Sequence, residues 1–264
     1  MYDFSYKNAS SVDDAINTHK SSEDGAFLAG GQTLLPTLKQ RLAQPSDLID
    51  LSGIGSLSSI EVGPVVKIGA MTTHAEVASS REIQNTLPAL SDLAEGIGDP
   101  QVRNRGTIGG SVANNDPAAD YPAVCLALNA IITTNKREIT ADDFFTGMFD
   151  TALDEGELIT SISFPIPEKA AYMKFPNPAS RYALVGVFVA KMSSGARVAV
   201  TGAGEDGVFR ASNLEDALNQ HFSAESLNDL SISPDGLLSD IHAQNDYRAS
   251  LVVTMAKRAV TAAS

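Results

Sequence analysis

Apolar residues recur along the chain in short groups separated by glycine, proline and small polar residues, and the spacing inside each group predicts an element. Ser11-Val12-Asp13-Asp14 sets a hydroxyl cap ahead of an acid three residues on, which starts a short helix. Ala26-Phe27-Leu28-Ala29 is a compact apolar run ending in Gly30-Gly31, and Leu34, Leu35, Leu38 and Leu42 recur after it at helical spacing. Strand, glycine turn and helix are expected in that order. With a further strand at Leu48-Ile49-Asp50-Leu51, residues 1–55 read as a small α/β unit.

The punctuation then changes. Ile60-Glu61-Val62 and Val65-Val66-Lys67-Ile68 flank Gly63-Pro64 as a hairpin, and Thr73 with Glu76 has the spacing of a capping box opening a helix. A periodic apolar stretch from Leu87 to Ile97, a helix over Tyr121–Leu128, and strands at 130–134 and 158–164 complete a second region, 56–167. Pro165 and Pro167 remove backbone donors, which makes 165–170 the expected boundary with a third region, 168–264. Its expected elements are strands over 183–192 and 197–201 and a closing helix over 247–263. That helix puts Leu251, Val252, Met255, Ala259 and Val260 on one face.

Composition narrows the function. The 264 residues are 43% hydrophobic and 19% charged, which argues against wholesale disorder. A net charge of -13 disfavours nucleic acid, whose affinity comes from cationic side chains releasing counterions. Neither the amino terminus nor any apolar stretch reads as a secretion signal or a transmembrane segment, and with no disulfide to form, a cytoplasmic protein is expected. The single cysteine, Cys125, cannot close a disulfide within the chain or hold an iron–sulfur cluster, which usually takes four thiolates; its apolar surroundings predict a buried, inert thiol.

Two glycine loops carry the candidate chemistry. Ala29-Gly30-Gly31-Gln32-Thr33 lies between strand and helix, where exposed amides suit a pyrophosphate, or an ordinary tight turn suffices. Thr107-Ile108-Gly109-Gly110-Ser111, followed by Asn114-Asn115-Asp116-Pro117 and Asp120, offers the same equipment, so the pair could grip one diphosphate from two sides. Asp120 could accept from a ribose hydroxyl or ring N–H, and helix capping before Tyr121 is the alternative for Asp116 and Asp120. Gly202-Ala203-Gly204-Glu205-Asp206-Gly207 is a literal GxGxxG, but two acids occupy the pyrophosphate position, so Asp206-Gly207 is read as a hairpin turn. The four histidines do not pair at metal-ligand spacing; His74 is read as a surface or core residue, with a binding role as the alternative. No nucleophile triad is suggested, and no metal site or catalytic acid or base is assigned.

These motifs have a family likeness. Ala29-Gly30-Gly31-Gln32-Thr33 with Leu35-Pro36, Ile68-Gly69-Ala70-Met71-Thr72, Gln101-Val102-Arg103-Asn104 leading into Thr107–Ser111, Asp116-Pro117 with Asp120, Gly156-Glu157-Leu158-Ile159, and Lys174-Phe175 with Ser180-Arg181 resemble the flavoprotein (medium) subunits of molybdenum hydroxylases. That family includes the medium subunit of carbon monoxide dehydrogenase and the FAD domain of xanthine dehydrogenase. The resemblance implies an α+β fold of the vanillyl-alcohol-oxidase type, with two α/β subdomains holding FAD and a carboxy-terminal α+β domain. It further implies FAD contacts at Leu28, Ala29, Gly30, Gly31, Gln32, Thr33, Leu34 and Leu35, at Val102, Gly106, Thr107, Gly110, Ser111, Ala113, Asn114 and Asp120, and at Ile159 and Lys174. Lys174 or Arg181 would tune the flavin. The implied function is electron transfer, from iron–sulfur centres of a small subunit to an external acceptor, beside a large molybdenum-cofactor subunit. A self-sufficient flavin oxidoreductase acting on a small organic substrate and a non-enzymatic nucleotide-binding module are the alternatives.

Overall fold

The computed structural model describes residues 1–263, and four sheets organise it. Strands Ser5–Asn8, Asp47–Asp50 and Gly25–Leu28 form a three-stranded parallel sheet with Asp47–Asp50 in the middle. Parallel neighbours need crossovers, and the helices Val12–Ser21 and Leu34–Lys39 supply them. Ser11 caps the first, its side chain accepting from the Asp14 amide at 3.1 Å. The second is shorter than the leucine spacing predicts. It ends at Lys39, Arg41 turns into the left-handed region at φ 61°, and Leu42 is left 73% exposed instead of continuing the apolar face.

A five-stranded antiparallel sheet follows in the order Ile60–Val62, Val65–Gly69, Ile159–Pro165, Ile131–Thr134, Glu138–Thr140. Between its second and third strands in chain order lie the helices His74–Ser79, Arg81–Thr86, Pro88–Glu95, Pro100–Arg103, Ile108–Asn114 and Tyr121–Leu128. The Thr73/Glu76 capping box forms: the Thr73 hydroxyl accepts from the Glu76 amide, and the Glu76 carboxylate accepts from the Thr73 amide at 2.7 Å. A small two-stranded hairpin, Phe145–Gly147 with Asp150–Thr151, is pinned by Asn115, whose side-chain amide donates to the carbonyls of Gly147 and Asp150 at 2.8 Å each.

The last sheet is an antiparallel meander of Lys169–Pro176, Ala183–Met192, Gly195–Gly204 and Gly207–Arg210. Its first strand was not anticipated, because Lys169–Pro176 mixes charge, alanine and aromatics without clean alternation. Ala183–Ala190 reads as a continuous apolar run because both faces of its strand are covered. Val185, Val187 and Val189 face the core shared with the helix Asn245–Ala262, whereas Phe188 and Ala190 face the core containing Tyr121–Leu128. The latter helix is apolar all round, and every residue in it is buried. The GxGxxG string forms a hairpin: Gly204 pairs with Gly207 across Glu205 and Asp206, and Gly207 adopts φ 104°.

Candidate flavin site

The first glycine loop leaves the strand Gly25–Leu28 and enters the helix Leu34–Lys39 without closing its own hydrogen bonds. The Leu35 amide donates back to the Gly31 carbonyl at 3.1 Å, but the amides of Gly30, Gly31, Gln32, Thr33 and Leu34 have no partner among the described residues, and Thr33 makes no side-chain cap. Five consecutive free N–H groups at a helix start constitute an anion cradle. Gly31 is required by its backbone: at φ 73° a side chain is strained, and a Cβ would lie 2.9 Å from Leu35 Cδ1.

The second loop differs from the sequence expectation. Its helix, Ile108–Asn114, does not present free amides. Ile108 donates to the Thr72 carbonyl at 3.0 Å, Gly109 to the Ala70 carbonyl at 2.9 Å, and Gly110 to the capping Thr107 hydroxyl at 3.2 Å. Gly109 is glycine because a Cβ would lie 2.7 Å from the Ala70 carbonyl oxygen. The second loop therefore contributes shape and side chains, and the first contributes the amides.

The two loops meet. A Cβ on Gly30 would come within 2.1 Å of the Arg105 carbonyl oxygen, and one on Gly110 within 3.4 Å of Ala29 Cβ. Between and beyond them lies a cavity of about 530 Å³. Of the residues expected at the site, Ala29, Gly30, Gly31, Gln32, Thr33 and Leu34 line it from the first loop. Val102, Gly106, Thr107, Gly110, Ser111, Ala113, Asn114 and Asp120 line it from the second region, and Ile159 from the end of the five-stranded sheet.

Three expected residues do not line it. Leu28 and Leu35 pack beneath Gly31, where their methyls approach the position of its missing Cβ, so they support the loop from behind. Lys174 also stands behind the wall, its ammonium donating to the Gly96 carbonyl at 2.8 Å and pairing with Asp120 at 3.0 Å. Asp120 is thereby engaged, accepting from the Tyr172 hydroxyl as well as from Lys174. Burial pushes its carboxyl up, and Lys174 and Tyr172 pull it back. Neither Asp116 nor Asp120 caps Tyr121–Leu128 through its side chain; Asp116 instead accepts from the Ala118 amide at 2.9 Å.

Other residues outside the expected FAD contacts also form the wall. Arg181, named as a flavin tuner, lines the cavity at φ 63° and donates to the Gly98 carbonyl at 3.0 Å. Glu157 also lines the cavity with its side chain fully buried, accepting from Arg137 at 3.0 Å, from the Thr134 hydroxyl at 2.6 Å and from the Asp154 amide at 2.9 Å. Burial alone would raise its carboxyl, but these donors outweigh it and hold the pKa at about 2. His74, Met71, Ile97, Gly98, Leu153 and Leu158 also border the cavity. The family landmarks at Ile68–Thr72, Gly156–Ile159 and Ser180-Arg181 touch this wall, but its residues come together through folding rather than spacing. Among the described residues no three His, Cys, Asp or Glu side chains gather as a metal site would require.

The wall fits FAD. Five unpartnered amides suit its diphosphate, and Ile97, Val102, Leu153, Leu158 and Ile159 offer an apolar surface for a flat ring system. Residues 2–167 match the family described as the FAD binding domain in molybdopterin dehydrogenase. The chain belongs to that family. It is 35% identical to the nicotine 6-hydroxylase medium subunit of Paenarthrobacter nicotinovorans and 35% identical to the carbon monoxide dehydrogenase medium chain of Hydrogenophaga pseudoflava, with 98% of this chain and 96% of each relative covered. A chain of the reconstituted CO dehydrogenase from Oligotropha carboxidovorans superposes with a TM-score of 0.89 at 32% identity, covering 98% of this chain and 97% of that one. The architecture is the α+β FAD-binding fold, the cofactor is FAD, and the chain is the flavin-carrying part of an oxidoreductase. The relatives are medium chains of multi-subunit enzymes.

Proposed function

We propose that this chain relays electrons as the FAD subunit of a molybdenum hydroxylase complex, receiving them from iron–sulfur centres of a small subunit and delivering them to an external acceptor. Substrate activation belongs to a large molybdenum-cofactor subunit. The observation that carries the assignment to this cavity is the run of free amides at Gly30–Leu34 beside an apolar wall. Bound FAD supplies the redox chemistry.

The protein's own residues bind and orient. The first loop fixes the diphosphate through backbone donors that bring no titratable group with them, so its grip does not vary with pH near neutrality. Of the three acidic side chains on the wall, Asp116, Asp120 and Glu157, two are paired with cations, Glu157 with Arg137 and Asp120 with Lys174, which limits their repulsion of an anionic ligand. The single cysteine of these 264 residues cannot hold an iron–sulfur cluster, so the centres that feed the flavin lie outside them. Most of the residues named from the sequence, Ala29 to Leu34, Val102, Gly106, Thr107, Gly110, Ser111, Ala113, Asn114, Asp120 and Ile159, then contact FAD directly. Leu28, Leu35 and Lys174 act from behind.

The test is reduction of the FAD-loaded chain, alone and in its complex. Aldehydes, purines and N-heterocycles should leave the flavin of the isolated chain oxidised, while the true substrate reduces it once the partner subunits are present. Turnover of a small organic substrate by the chain alone would overturn the relay.

A further inference from the structure

Among the described residues His74 is the one imidazole on the cavity wall, and it is 5% exposed. It opens the helix His74–Ser79, its backbone amide donating to the Gly106 carbonyl at 3.0 Å, so the imidazole is held at the second glycine loop. The ring packs beside that of Tyr121, tilted by 41° with centroids 5.3 Å apart. No described residue bonds the ring: Nδ1 is sealed and unpartnered, and no hydrogen bond contributes to its protonation balance. Burial, with the Arg103 guanidinium nearby, pushes the imidazole down to about 4, so it is neutral at pH 7 and carries one N–H.

Gly106 lies at the Nε2 edge of the ring. A Cβ on Gly106 would lie 2.5 Å from His74 Nε2 and 2.8 Å from Cδ2, so any larger residue would cover that edge of the ring. Gly106 itself lines the cavity. A buried polar ring with no protein partner is costly, and a ligand oxygen at the Nε2 edge removes the share of that cost that falls on Nε2.

We infer that His74 is an FAD-contacting residue, its Nε2–H donating to a polar oxygen of the cofactor beside Gly106, and that Gly106 is glycine to leave this edge open. The inference rests on the FAD assignment above. With Nε2 as donor, sealed Nδ1 keeps the lone pair, which fixes the tautomer without help from the protein.

The experiment uses the full chain, freed of flavin and carrying ¹⁵N-histidine, with the His74 ring signals assigned by their loss in His74→Phe. On adding FAD the Nε2 signal should move, and fluorescence titration should give FAD binding about 3- to 10-fold weaker in His74→Phe, the loss expected for one hydrogen bond. His74→Gln, whose amide can donate, should recover most of that, and Gly106→Ala should weaken binding in the same range or more. Unshifted ring signals on FAD binding would overturn the contact, as would unchanged affinity in a folded His74→Phe. A chain that takes up no FAD at all would instead overturn the cofactor assignment. If His74→Phe does not fold, the signals are assigned by their loss in His74→Gln, and the ring shift in the unaltered chain decides.

Discussion

A methyl group on Gly30 would meet the Arg105 carbonyl oxygen at 2.1 Å, far inside contact distance, so Gly30→Ala must push the two glycine loops apart. Gly31→Ala fails for a different reason, since holding an alanine at φ 73° costs about 1–2 kcal/mol. Either change should weaken FAD binding at least tenfold by fluorescence titration, and Gly30→Ala should be the worse. Glu157 gives a prediction in pH. Its carboxyl falls from an ordinary 4.5 to about 2, so the native state gains stability above the unfolded value and loses it as pH drops from about 4.5 towards 2. Glu157→Gln should lower stability near neutral pH by on the order of 2 kcal/mol and flatten the acid limb of the denaturation profile. An unchanged acid limb in that variant would remove Glu157 from the account. These residues were unequally legible. Gly30 and Gly31 stand out in any reading of the chain, whereas nothing near Glu157 in sequence announces that Arg137, twenty positions away, neutralises it.

The helices around the site were legible where a cap or a complete apolar run marked them. Thr73 with Glu76 and Tyr121–Leu128 are such cases, and both elements begin where the residues indicate, whereas the Thr107-capped helix Ile108–Asn114 lies where the sequence suggests only a glycine loop. The helix after the first loop was read too long because leucine spacing continues past the point where Arg41 turns. The second loop was read as a source of free amides because no pattern in sequence reveals that Ala70 and Thr72 occupy them. Thr107→Ala should cost about 1 kcal/mol through the lost cap and disturb the strand-like bridge between Thr73 and Thr107, measurable as a lower denaturation midpoint. Cys125, fully buried in its helix with its thiol pushed up by burial, should react with a thiol reagent only after unfolding. Rapid labelling of the native chain would contradict that packing.

At the scale of the whole molecule, the site and the core depend on the same helix. Tyr121–Leu128 packs against the four-stranded sheet, and Phe188, Ala190 and Ala199 of that sheet share its core with the five-stranded sheet. Cutting the chain after residue 167 would strip the cover from that helix, so residues 1–167 alone should unfold at lower denaturant than the full chain and bind FAD more weakly. No helix among the described residues is long and apolar enough to cross a membrane. What the chain does as a whole rests on FAD sitting against the free amides of its first loop. Backbone amide exchange in the flavin-free chain, with and without FAD, addresses this directly. The account predicts that exchange at Gly30–Leu34 slows markedly with FAD, and also with ADP, which carries the diphosphate, but not with adenosine. Exchange at those five amides unchanged by saturating FAD would contradict it.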